Sequence, residues 1–134
     1  MIPEFDERGY LPPGIHVASL EEVIERFGVQ SEVRQAQAES LQWLMPLCNE
    51  AGIIRLLING SFVTDGEEPN DVDCLLLQGP TYRSRSLSAR QLRRGLPFLE
   101  LKIVGQVDFD YFSKTVFASD REFVVKGVVE VTLD

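Results

Sequence analysis

The stretch from Ile53 to Leu77, IIRLLINGSFVTDGEEPNDVDCLLL, decides the fold. Ile53 to Asn59 is apolar on both phases of the alternation, Arg55 excepted, which predicts a central strand covered on both faces. A Gly60-Ser61 pair follows, then nine residues of polar loop, then Asp71-Val72-Asp73 running into a second apolar stretch. Asp71 to Leu77 is predicted as the second strand, with Gly79-Pro80 ending it.

Two carboxylates at i and i+2 on a strand point to one face and converge above the sheet. Val72 and Cys74 then face the other way, into the core. Like charges held that close are costly unless a cation lies between them. Oxygen ligands with open coordination positions suit Mg²⁺ or Mn²⁺, so Asp71 and Asp73 are the first metal candidates. Asp71 on its own would also suit a turn in the Pro-Asn-Asp loop. Asp73, inside an apolar strand, has no such explanation, because Asp is depleted in strands and seldom buried unpaired. A third carboxylate from another strand would allow a second metal. QVDFDYF, Gln106 to Phe112, reads as a strand with Asp108 and Asp110 on one face, and Val107-Asp108-Phe109 repeats the setting of Asp73. Gly60 and Ser61 lie at the carboxyl end of the first strand, where open α/β sheets bind ligands. Gly60 allows close approach of a phosphate and Ser61 supplies an N–H and a hydroxyl. Gly66 and Pro69 limit any helix there to about a turn.

Working outward, Ser19 with Glu22 makes a capping box for a short helix closed by Gly28. A second helix is expected from about Ser31 to Glu50, with Pro46 kinking it or starting its last turn. Trp43 on it reads as core or partner surface, with base stacking the lesser reading. The preceding segment, Ile2 to Val17, reads as an ordered arm anchored by Phe5, Tyr10, Leu11 and Ile15. His16, the one histidine, reads as a packing residue. After the second strand, Ser86 or Ser88 caps a basic helix over Leu87 to Arg94, ended by Gly95. Phe98 to Val104 is expected as a strand, and Glu122 to Leu133 as a last one.

The 134 residues suffice for one domain with its own core. No apolar run approaches the roughly 18 residues of a membrane span. The opening MIPEFDERGY lacks a basic segment followed by an apolar one, which predicts no secretory leader. Cys48 and Cys74 sit in apolar contexts without metal-ligand spacing and are expected as free thiols of a cytoplasmic protein. A net charge of −8 argues against broad, non-specific nucleic-acid binding. The charge is uneven, however: Arg83, Arg85, Arg90, Arg93, Arg94 and Lys102 face only Glu100 between Tyr82 and Lys102.

Gly60-Ser61, the nine-residue spacing and Asp71-Val72-Asp73, set between apolar strands, resemble the nucleotidyltransferase superfamily related to DNA polymerase beta. The size looks like its minimal, single-domain prokaryotic type. IPEFDERGYLPPGIH is similar to the opening of a group of small bacterial proteins that carry this core. The resemblance covers about Ile53 to Phe112. It implies a mixed sheet flanked by helices, two of them ahead of the central strands. It implies transfer of a nucleoside monophosphate from an NTP to a hydroxyl of a small molecule, an RNA end or a partner protein. Asp71, Asp73 and Asp108 would be the catalytic metal ligands, with Gly60 and Ser61 at the phosphates. One departure is the loop itself: Phe62-Val63-Thr64 is followed by Asp65, Glu67 and Glu68, which repel a triphosphate. The arginine segment, Arg121 and Lys126 are the cations that could offset them, and Lys126 is assigned to the nucleotide. The alternative is a binding module of the same fold with weak or no catalysis, such as one component of a toxin–antitoxin or regulatory complex. A homodimer stays open.

Overall fold

A computed structural model describes residues 1–115 and 124–133. Five strands form one mixed sheet: β1 (Ile15–Ala18), β2 (Ile53–Asn59), β3 (Val72–Gln78), β4 (Leu99–Val104) and β5 (Val128–Val131). Four α-helices accompany it: α1 (Leu20–Phe27), α2 (Glu32–Ala51), α3 (Leu87–Arg94) and α4 (Gln106–Lys114). The order across the sheet is β1-β5-β2-β3-β4. β2 lies antiparallel between β5 and β3, while β1 with β5 and β3 with β4 are parallel pairs. The fold is α/β, a mixed sheet flanked by helices, with α1 and α2 preceding the central strands.

The alternation of each strand sorts its side chains between two cores. Leu56 and Ile58, Cys74 and Leu76, and Val129 and Val131 join the larger core with residues of α1, α2 and α3. Leu57, Leu75, Leu77 and Val128 join Phe109 of α4 in a smaller one. That is why the two central strands read as apolar on both phases. A register shift between Ile53 and Arg55 bulges β2. Ile54 is turned outward, half-exposed, and Arg55 is turned to the α4 side. There Arg55 grips Glu130 of β5 with two bonds, 2.9 and 2.7 Å, and lies 5.0 Å from the centre of the Phe109 ring.

The capping box expected at Ser19 is present, and of the two candidates for the third helix it is Ser86 that caps. Ser19 closes its capping box with Glu22, Ser31 caps α2 and Ser86 caps α3. α2 runs through Pro46 and ends at Gly52, whose φ of 90° is left-handed. The arm is partly a strand: β1 is the sheet's edge, paired to β5. His16 hydrogen-bonds the Pro12 carbonyl, which makes it a packing residue. Cys48 and Cys74 are buried free thiols. Burial pushes Cys48 up to about 12 and Cys74 well above the usual thiol range, so both stay protonated.

Two expectations are corrected. Gln106 to Phe112 is not a strand but most of α4. Its period-2 apolar set does not bury as a set: Val107 is 82% and Tyr111 57% exposed, and only Phe109 is enclosed. The last strand is shorter than expected, Val128–Val131, with Gly127 N–H bonded to the Leu11 carbonyl before it. Arg121 and the Glu122-Phe123 start of that expected strand lie outside the described residues. No helix among the described residues is long and apolar enough to cross a membrane.

Candidate active site

Asn59, Asp73 and Glu100 form a row across β2, β3 and β4. The register sets Asn59 opposite Asp73 and Asp73 beside Glu100. All three share the parity of Leu57 and Leu75, so they lie on the α4 side of the sheet, at its opposite end from Leu77. Asp71 lies just before β3 and is exposed. Val72 and Cys74 face the larger core.

Asp73 is half-buried, and its carboxyl is pushed up to about 6. Burial is the main cause, followed by its hydrogen bond to Glu100 and the charges of Glu100 and Asp71. Lys126, in the segment leading to β5, pulls the other way. Lys126 is itself buried and lies 5.3 Å from the centre of the Tyr10 ring.

Gly60 closes the site from the β2 end. Its φ of 84° and ψ of −169° belong to a region open essentially to glycine. A Cβ there would lie 2.5 Å from Asp73 Oδ2. Ser61, exposed, then opens a single 3-10 turn over Ser61–Val63. Gly60→Ala therefore forces backbone strain and pushes the Asp73 carboxylate aside. The expected cost is about 1–3 kcal/mol in urea unfolding, with any divalent-metal stabilisation reduced as well.

The loop is held from behind by α2. Arg34, 2% exposed, donates to the carbonyls of Phe27 (3.0 Å), Phe62 (2.7 Å), Thr64 (2.9 Å) and Gly66 (3.2 Å). One helical turn on, Gln37 Nε2 donates to the Pro69 carbonyl at 2.7 Å. Ser40 Oγ donates to the Pro97 carbonyl at 2.5 Å, just ahead of β4. One ridge of α2 thus fixes the segments that carry Ser61, Asp71 and Glu100. The arm clasps the loop from another side: Asp65 N–H bonds the Gly9 carbonyl, and a Cβ on Gly9 would fall 2.0 Å from Asp65 Oδ1. Asp65 is therefore turned toward the arm, and its charge acts on Arg34.

The structure brings Asp71, Asp73, Gly60 and Lys126 together, with Ser61 next to Gly60. It does not bring Asp108 to them. Asp108 is in the exposed first turn of α4, and the charges acting on Asp73 come from Glu100, Asp71 and Lys126. Asp110 accepts from Gln106 at 2.8 Å and its charge acts on Arg55. Glu100 stands beside Asp73 where Asp108 was expected, because β4 pairs with β3 at Asp73 while α4 packs over Leu75 and Leu77. As placed, no three of the described His, Cys, Asp and Glu side chains are close enough to hold a metal ion. The donor set still fits a hard divalent cation: carboxylates crowded enough to raise a carboxyl, with a glycine cradle against the same oxygen.

The profile of a family of unknown function, DUF6932, matches residues 3–132. The chain belongs to DUF6932. The match takes in the arm, the loop and every residue of the acidic row, so this DUF6932 domain includes the whole candidate site. No curated protein and no solved structure matches the chain.

Proposed function

We propose that this DUF6932 protein is a metal-dependent nucleotidyltransferase, moving a nucleoside monophosphate from an NTP to an acceptor hydroxyl. The observation that carries the reading is the pairing of Asp73 with Glu100 directly beside Gly60-Ser61. Asp71, Asp73 and Glu100 would hold Mg²⁺ or Mn²⁺, which when bound neutralises charge on the triphosphate oxygens. The Ser61 hydroxyl would donate to a terminal phosphate oxygen, with Gly60 leaving room for it. Lys126 would offset the remaining negative charge, and Asp73 or Glu100 would take the acceptor's proton as its oxygen bonds the α-phosphorus and pyrophosphate leaves. Most of the rate would come from positioning and charge neutralisation.

A second reading has one observation in its favour: the described carboxylates do not close into a three-ligand set as placed. It makes the chain a binding module of the same fold, for instance one component of a toxin–antitoxin or other regulatory complex. Incubation with α-phosphate-labelled NTPs, Mg²⁺ or Mn²⁺ and cell extract separates the two. Label transferred to an acceptor, and lost in Glu100→Gln, supports the transferase. No transfer with any of the four NTPs, together with no thermal shift from Mn²⁺-NTP, favours the binding module.

A further inference from the structure

The five arginines from Arg83 to Arg94 stand apart from the acidic site. All are exposed, and no ion pair among the described residues engages them. Arg90, Arg93 and Arg94 follow i, i+3, i+4 and share one face of α3, opposite the buried Ser88, Ala89 and Leu92. In a chain of net charge −8, five of the thirteen Lys and Arg residues fall between Arg83 and Arg94, so positive charge is concentrated there.

Aromatic side chains border that face. α2 and α3 run antiparallel: Glu50 of α2 accepts from Ser88 in the first turn of α3, at 2.8 Å, and Ser40 bonds Pro97 beyond its last turn. Ser40, Trp43, Leu47 and Glu50 follow i, i+3, i+7, i+10, so Trp43 lies on the stripe of α2 that borders α3. It is 49% exposed. At the same end of α3, next to the Pro97 that Ser40 bonds, Phe98 is 48% exposed with a φ of 65°. A non-glycine residue held there is strained, and strain of this kind collects at ligand sites. The Phe98 carbonyl accepts from Val72 N–H at 2.8 Å, which fixes the residue at the carboxylate end of the sheet.

We propose that Trp43, Phe98 and the α3 arginines form a binding surface for single-stranded nucleic acid. Arginines along one helix face match successive phosphates, and flat exposed rings stack unpaired bases. A duplex offers the same phosphates but no free base faces, so the rings specify the single strand. The strand's path would end at Glu100, beside the acidic row. The inference stands apart from the transferase reading, because binding needs neither NTP nor metal.

Binding of fluorescently labelled oligo(U) and oligo(dT) to the full chain, without metal or NTP, tests it. Trp43 is the one tryptophan, so quenching of its emission reports stacking directly. Anisotropy should rise, Trp43 emission should fall, and log affinity should drop with log salt with a slope of about −2 to −3.5. Arg90→Glu with Arg94→Glu should weaken binding about tenfold or more and flatten the slope by about 1.4. Trp43→Leu should weaken it about fivefold or more with the circular dichroism spectrum unchanged. Any one of four results overturns the proposal: no binding at low salt, a duplex of equal length bound as tightly, affinity unchanged in the arginine variant, or unchanged in Trp43→Leu. Displacement by polyglutamate as effective as by oligonucleotide also overturns it, and assigns the face to an acidic protein.

Discussion

Arg34→Met is expected to lower the thermal midpoint by about 10–20 °C. Arg34 is 2% exposed, yet among the described residues its guanidinium meets no carboxylate at bonding distance; its partners are backbone carbonyls. Burial pulls its pKa down and the nearby charge of Asp65 holds it up, so the ion is kept in place at a cost. Methionine removes that cost and fills similar volume. It leaves the carbonyls of Phe27, Phe62 and Thr64 without their donor, and each buried orphan costs about 1–3 kcal/mol. Some water entry at the loop reduces the sum to about 3–5 kcal/mol. For a domain between the 60–100 and 150–250 residue classes, each kcal/mol moves the midpoint by about 3–5 °C. Arg34→Lys should recover less than half of the loss, because an ammonium has three donors in place of a five-donor planar fork. Differential scanning calorimetry of the three proteins checks both figures. A shift under about 4 °C for the methionine variant would mean the loop is held chiefly by Phe62 packing on Phe27, at 5.9 Å between rings, and by the arm.

How much of this could be read in advance depends on what each residue's signal records. The two central strands were legible because burial on both faces leaves uninterrupted apolar runs, and the first three helices because their caps are local in sequence. α4 was misread since Val107, Phe109 and Tyr111 alternate and aromatic residues favour strands, while nine residues are too few for the helical period to prevail. Glu100 had the same apolar-acid-apolar setting as Asp73, in LELKIV. What made it part of the site is the parallel pairing of β4 with β3, and pairing partners are not written in either strand. Arg34, Gln37 and Ser40 did leave a trace: they fall on the i, i+3, i+4 stripe that continues through Leu41, Leu44 and Cys48, so the apolar face of α2 carries three polar intruders. Polar side chains on a buried stripe point to backbone that must be held, and here it is the backbone of the loop after Gly60 and of the two acid-bearing segments.

Asp73→Asn should reverse its effect on stability when a divalent metal is added. Without metal, the folded-state carboxyl sits at about 6 against 3.8 in the unfolded chain, raised chiefly by burial and then by Glu100. The folded state therefore binds more protons than the unfolded state between these values, and stability falls as pH rises from about 4 to above 6. Below about pH 4 both states are protonated and the penalty is absent. The variant's neutral amide carries no such penalty and can still donate to Glu100. The full shift would correspond to about 3 kcal/mol; discounted for the solvent that reaches a half-buried group, about 1–2 kcal/mol remains. In EDTA at pH 7.5 the variant should thus melt about 3–10 °C above the wild type, and at pH 4 the two should coincide. With Mn²⁺ at 100 times its dissociation constant, the wild type gains about 2.7 kcal/mol. The variant, having lost one charged ligand, gains little, so the order of the midpoints inverts. Glu100→Gln should invert in the same way, and Asp108→Asn should not, because Asp108 lies in the first turn of α4, away from the row. Label transfer from an NTP should fall by about a thousandfold or more in both site variants, since removing charge stabilisation at a phosphoryl centre acts mainly on the transition state. An EDTA difference without inversion would keep the crowded carboxylates and remove the metal from the proposal. Inversion in Asp108→Asn would return that residue to the site and require α4 to shift along β3 toward Asp73.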